Sequence, residues 1–167
     1  MSNFLKSKNA SWIWLVLRLY VGYEFMTAGW EKITGPKAFD ASGFLQGAVK
    51  GATGAHPTVQ PWFAAIVKSA FLPSVGLFNF LVPWGELLTG IALIIGFASS
   101  FALVMALLMN YAYMFSGSTS TNVQLSLLEV ILLAVGGAYV GFLGVDYWFR
   151  PVWRKLVKAD GGSKAAA

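Results

Sequence analysis

Cysteine is absent from the 167-residue chain. Its absence excludes disulfides, thiol redox chemistry, iron–sulfur clusters and thiolate metal sites. Histidine occurs once, as His56 in a Gly/Pro-rich stretch. A single imidazole without a cluster of other ligands reads as a surface residue, so no metal site is expected. It also argues against bound haem unless a partner supplies the axial ligand. Charge is scarce: Asp, Glu, Lys and Arg make up 11% of residues, against about 25% in a soluble domain. Hydrophobic residues make up 57% and mean hydropathy is +0.64. A surface so poor in charge suits lipid rather than water.

The charge that is present is basic, +5 overall with a pI near 9.6. Its distribution excludes nucleic acid as a partner, because the Lys and Arg residues collect at the two ends and in one loop, and no helix carries a basic face. Membrane proteins distribute cations in this way. The N-terminal "MSNFLKSKNASWIW" leads into an apolar run that continues past residue 30 without a small-residue cleavage pattern. It reads as a retained span, not a removed signal.

A helix needs roughly 20 apolar residues to cross the hydrocarbon core. Four segments are expected to do so, at about 11–33, 77–97, 99–115 and 123–143. Gly96 and the Ser99–Ser100 pair predict a tight turn between the second and third. The connection 34–76 is too polar to span, and its stretches 37–49 and 60–72 predict short amphipathic helices at the interface. The fold expected is all-α, an integral membrane four-helix bundle forming one domain, with a long extracytoplasmic loop and a disordered tail at about 159–167. Lys6 and Lys8 precede the first span, and Arg150, Arg154, Lys155, Lys158 and Lys164 follow the last. The opposite side carries Lys32, Lys37, Lys50 and Lys68. The positive-inside rule therefore places both termini in the cytoplasm, within the inner membrane. Trp12, Trp14, Trp148 and Trp153 suit the inner interface, and Trp30 and Tyr113 the outer one.

Each expected span nevertheless holds a strongly polar residue: Arg18 and Glu24, Glu86, Asn110, and Glu129. Leaving a charge against lipid at a helix centre costs at least ~2.5 kcal/mol, so these groups should turn inward and satisfy one another. At about 1.5 Å per residue their depths are compatible, with Glu24, Glu86 and Asn110 near the middle and Glu129 in the outer half. Small residues, among them Gly22, Gly29 and Gly90, would let the helices approach. Arg18 and Glu24 point about 120° apart on their helix, so Arg18 is expected to meet Glu86 or Glu129 across the bundle. One arginine cannot balance three carboxylic acids. A carboxyl group left over beside a fixed ion pair could exchange a proton with a ligand, which suits a quinone. The plain alternative is that buried Arg–Glu pairs fix the helix register. Trp30, Trp62 and Trp84 could wall an apolar pocket above Glu86. Glu31 and Lys32 stand at the outer end of the first span, and Asp146 is read as a helix-end residue near the headgroups.

Four stretches, "LRLYVGYEFMTAGWEKITG" (17–35), "FDASGFL" (39–45), "FNFLVPWGELLTGIALIIG" (78–96) and "MNYAYMFSGSTSTN" (109–122), give the chain a family likeness. It resembles the DoxX family of small membrane proteins, and more narrowly its DoxD-like branch, named for the large subunit of thiosulfate:quinone oxidoreductase. The resemblance covers about 11–150 and falls on Arg18, Gly22, Gly29, Lys32, Pro83, Glu86, Gly90, Asn110 and Asn122. It implies quinone-linked oxidation of a sulfur compound outside the cytoplasmic membrane, with a separate small subunit as partner. On this reading Arg18, Glu86, Asn110 and Trp84 hold a quinone. Glu86, Glu129 and Glu24 handle protons. Trp30, Lys32 and Asn122 meet an anionic substrate such as thiosulfate. The rival expectation is non-enzymatic: binding or transport of a small ligand, as a homo-oligomer if a transporter, or a membrane scaffold for a partner oxidoreductase.

Overall fold

The computed structural model describes residues 7–149. The tail at 159–167, Trp153, Lys6 and the basic residues from Arg150 onward lie outside them. The described residues hold seven α-helices ending at Val140, a further helical stretch at 145–149, and no strand. We number the seven α1 (Lys8–Thr34), α2 (Ser42–Lys50), α3 (Pro61–Ile66), α4 (Val75–Ile95), α5 (Ser99–Phe115), α6 (Asn122–Val135) and α7 (Gly137–Val140). A π-helical turn, Val67–Phe71, continues α3.

Helix α1 starts where Ser7 accepts a hydrogen bond from the Ala10 amide at 3.1 Å, the usual way a hydroxyl satisfies a free N–H at a helix start. It then packs lengthwise on α4. The seam is closed by glycine: a Cβ at Gly29 would strike the backbone of Pro83 and Leu87, and one at Gly90 the backbone of Met26 and the Gly22 carbonyl. α4, α5 and α6 continue the ring, and α6 returns to α1. The expected turn is present. Gly96 ends α4 at φ 68°, a left-handed conformation that glycine adopts without cost, and α5 begins at Ser99.

The inward seam is Val21, Phe25, Leu93, Leu103, Ala106, Leu132 and Val135, all buried. Large apolar side chains on the other faces, such as Val16, Phe80, Leu88, Phe101, Leu108 and Leu127, are exposed. Among the described residues α4 alone is both long and apolar enough to cross a membrane, and only 33% of its most apolar window is buried against the rest of the chain. An ordinary core helix would be mostly covered. α5 and α6 are apolar but shorter, with 17 and 14 residues, or about 26 and 21 Å.

The expected fourth span, 123–143, is not one continuous helix. α6 ends at Val135, Gly136 turns at φ 92°, and only the four residues of α7 follow. Two adjacent glycines supply no side-chain packing to carry the helix on, and residue 136 takes a backbone conformation that other residues avoid.

The 34–76 connection folds on itself. α2, α3 and the π turn bury Ala41, Leu45, Ala48, Val59, Phe63, Ala64 and Val67 around a second small core. Both expected short helices are there, within Ser42–Lys50 and Pro61–Phe71. This cap is pinned to α4 by Asn79, whose Oδ1 accepts the Ala41 amide at 2.8 Å, and to α5 by the Trp62 and Phe63 rings against Phe115. The Ser42 hydroxyl and amide hold the Asp40 carboxyl below its ordinary range. At the other end of the bundle Trp12 meets Phe142 edge-on at 5.5 Å, so both ends of the described chain lie opposite the cap.

Candidate functional site

The buried polar side chains fall into two groups. Toward the cap, Lys32 on the last turn of α1 reaches across the α1–α4 seam, which the close approach at Gly29 permits. Its Nζ donates to Glu86 Oε2 at 2.7 Å, the one ion pair among the described residues. The Tyr113 hydroxyl donates to the other oxygen, Oε1, at 2.7 Å. Glu86 therefore has one cation and one hydroxyl, with Lys32 28% exposed and the carboxylate 4% exposed. Phe39 of the cap lies 5.9 Å from the Lys32 ammonium, and Phe44 meets the Tyr113 ring edge-on.

Three residues before Tyr113, and so on the same face of α5, Asn110 donates from Nδ2 to Glu129 Oε1 of α6 at 2.7 Å. Glu129 is fully buried, and its second oxygen has no hydrogen-bond partner. Ser126, one turn earlier on α6, turns its hydroxyl to the Asn122 carbonyl at 2.6 Å. Adjacent turns of α5 thus hold the two carboxyl groups in one polar layer, Glu86 through Tyr113 and Glu129 through Asn110.

Arg18 is elsewhere. The expectation that it pairs with Glu86 or Glu129 is corrected by its contacts. Its Nη1 donates to the Val140 carbonyl at 2.8 Å and the Phe142 carbonyl at 3.5 Å, and the guanidinium packs against Gly96 and Gly144. Gly96 is ten residues from Glu86 on α4, about 15 Å along the axis. The reason is local. The end of α7 and the turn after it free carbonyls in an apolar interior, and a guanidinium with five donors satisfies them. Asp146 lies near enough to interact electrostatically with Arg18. It stands at a helix end, as expected, in the first turn of the helical stretch 145–149. Its two carboxylate oxygens each accept one backbone amide, of Ala98 and Ser99, at 2.7 Å.

The other expected site residues are more dispersed. Glu24 is half-buried on α1 with no side-chain hydrogen bond among the described residues. Trp30, Trp62 and Trp84 are all exposed, and Trp62 meets Phe63 and Phe115 edge-on. Asn122 Nδ2 donates to the Ser118 carbonyl at 3.2 Å at the start of α6. Trp14, expected at the interface, is buried in the core. Tyr113 is the residue that sequence reasoning missed. An aromatic near a span's end suits the membrane interface, but the i+3 spacing of Tyr113 from Asn110 puts it on the polar face of α5.

Helices throughout the described residues, an apolar exterior, one helix of spanning length and charged groups held inside are the features of a membrane-associated helical protein. The sequence matches the DoxX family over residues 13–118. The chain belongs to that family, whose members are typically membrane proteins. The match runs from α1 through α5 and includes Lys32, Glu86, Asn110 and Tyr113. Glu129 lies beyond it. No curated protein and no solved structure matches the chain.

Proposed function

We propose that the chain is the membrane subunit of a quinone-linked oxidoreductase, with thiosulfate or another small sulfur anion as electron donor. Reducing a quinone takes up two protons with two electrons, so a quinone site needs carboxyl or hydroxyl groups inside an apolar shell. One observation carries the reading: a fully buried carboxyl, Glu129, with an unpartnered oxygen beside Asn110. An orphaned acceptor in an interior costs about 1–3 kcal/mol and fits a ligand that offers or receives a hydrogen bond there. Asn110 fixes the rotamer of Glu129, and Glu129 Oε2 moves the proton. Tyr113 and Lys32 hold Glu86 at the cap side, which we place outside the cytoplasmic membrane, where the loop lysines attract an anion. Arg18 serves the site by holding the tail end of the bundle rather than by touching the ligand.

The test is quinone reduction by thiosulfate with purified protein, alone and with a small partner subunit, together with quinone analysis of its lipid extract. Turnover or co-purified quinone supports the proposal. Absence of both, with and without the partner, removes it. A second reading, a non-enzymatic ligand-binding protein or a scaffold for a partner oxidoreductase, is favoured by Glu86, both of whose oxygens are satisfied within the chain. Under that reading Glu86→Gln leaves function intact.

A further inference from the structure

The buried polar side chains divide sharply along the bundle axis. Glu86, Thr89, Asn110, Ser126 and Glu129 form the layer toward the cap, and Ser11, Arg18 and Ser99 lie at the tail end. Between them every inward residue is apolar and sealed. Val21 follows Arg18 on α1, Leu93 separates Thr89 from Gly96 on α4, Leu103 and Ala106 separate Ser99 from Asn110 on α5, and Leu132 lies beyond Glu129 on α6. All are buried, at 0–1% exposure. The far end of this plug is closed again where Arg18 packs between Gly96 and Gly144. On the cap side the layer reaches a partly exposed group in one contact, although Asn110 and Glu129 are themselves buried. Glu86 leads directly to Lys32, which is 28% exposed and two residues from the end of α1.

We infer that the polar layer has one-sided access: water, protons and small hydrophilic species reach Glu86, Asn110 and Glu129 from the cap side, past Lys32 and the Phe39 and Phe44 rings, and not from the tail side. Resting on the quinone reading, this means that the protons taken up in the redox step come from the compartment that faces the cap. A carboxyl that gives its proton inward is reprotonated from that side, because a dry stretch of about 15 Å of helix lies behind it. An ion or water crossing that stretch would leave its hydrogen bonds unmade.

The absence of native cysteine makes the test direct. Single cysteines are placed at Asn110 and Ser126 in the layer, at Leu103 and Ala106 in the plug, and at Gln46 and Trp148 as markers of the two sides. Oriented vesicles of each handedness are treated with a membrane-impermeant cationic thiosulfonate. The expected result is labelling of Asn110→Cys and Ser126→Cys from the cap side at least about tenfold faster than from the tail side, the ratio a barrier difference of about 1.4 kcal/mol gives. Leu103→Cys and Ala106→Cys should stay unlabelled from both sides. Tail-side labelling of the layer or of the plug overturns the inference, as does a layer that reacts from neither side. Ser126→Cys changes one atom, so it reports on the layer even if Asn110→Cys does not insert. Labelling requires no turnover, so loss of the quinone reading and loss of one-sided access give different results.

Discussion

The two ends of the bundle both bury charge, and they do so by different means. At the tail end Arg18, 1% exposed, is held by backbone through Nη1, while its buried Nε has no hydrogen-bond partner. The guanidinium caps carbonyls at and just after the end of α7, of Val140 and Phe142, while Asp146 caps the amides that open α5. Each charged group here completes a main-chain turn. At the cap end the partners are side chains, namely Lys32, Glu86 and Tyr113, with Asn110 and Glu129 one turn deeper. Side-chain partners can rotate, protonate or exchange for a ligand, whereas main-chain partners cannot move without unfolding the turn. The difference separates a charge that holds the fold from charges available for chemistry.

Substitutions can break that comparison or sharpen it. Arg18→Ala should cost most, about 3 kcal/mol or more, because it orphans the Val140 carbonyl and leaves a cavity. Fluorescence-detected thermal unfolding in detergent should show the lowest midpoint of the series. Asp146→Ala removes both acceptors at the start of α5 and should cost about 1–2 kcal/mol in the same measurement. An Arg18→Ala midpoint close to wild type would erase the distinction between the ends.

At the cap end the expected order of effects on stability and function is reversed. Glu86→Gln keeps an acceptor for Tyr113 and frees Lys32, which already touches solvent, so it should cost about 1–2 kcal/mol. Quinone turnover should nevertheless fall. Glu129→Gln is nearly isosteric, loses no cation and retains the Asn110 hydrogen bond, so its thermal midpoint should stay close to wild type while bound quinone is lost. A large drop in midpoint for Glu129→Gln would make that residue structural after all. The smallest effect is in the cap. The Asp40 carboxyl is depressed by Ser42, so its contribution to cap stability is present above its unfolded value of about 3.9 and disappears as pH falls through the lower folded value. An NMR titration of Asp40 should show that midpoint rise toward the ordinary one in Ser42→Ala.

Much of the scaffold was legible without coordinates. Apolar runs, the Gly96 turn and the paired amphipathic segments of 34–76 each leave a local pattern, and α1, α4 and α5 cover the stretches those patterns marked. The fourth span was not fully legible. Hydropathy continues through Gly136 and Gly137, and only the backbone shows that the helix does not. The polar layer was half legible. Glu86, Asn110 and Glu129 stood out because charge and amide are rare in such segments, but their partners did not, since Lys32 and Tyr113 resemble ordinary interfacial residues.

The sequence by itself determined that this chain is helical, apolar on the outside and obliged to hide a few ionisable groups, because helix periodicity and transfer free energy depend on residue type and spacing alone. Only the tertiary structure decided which group meets which. That outcome rests on how closely α1 approaches α4 at Gly29 and Gly90, and on which carbonyls the broken α6–α7 segment leaves bare. Both are distances between segments remote in the chain, and no local pattern encodes them.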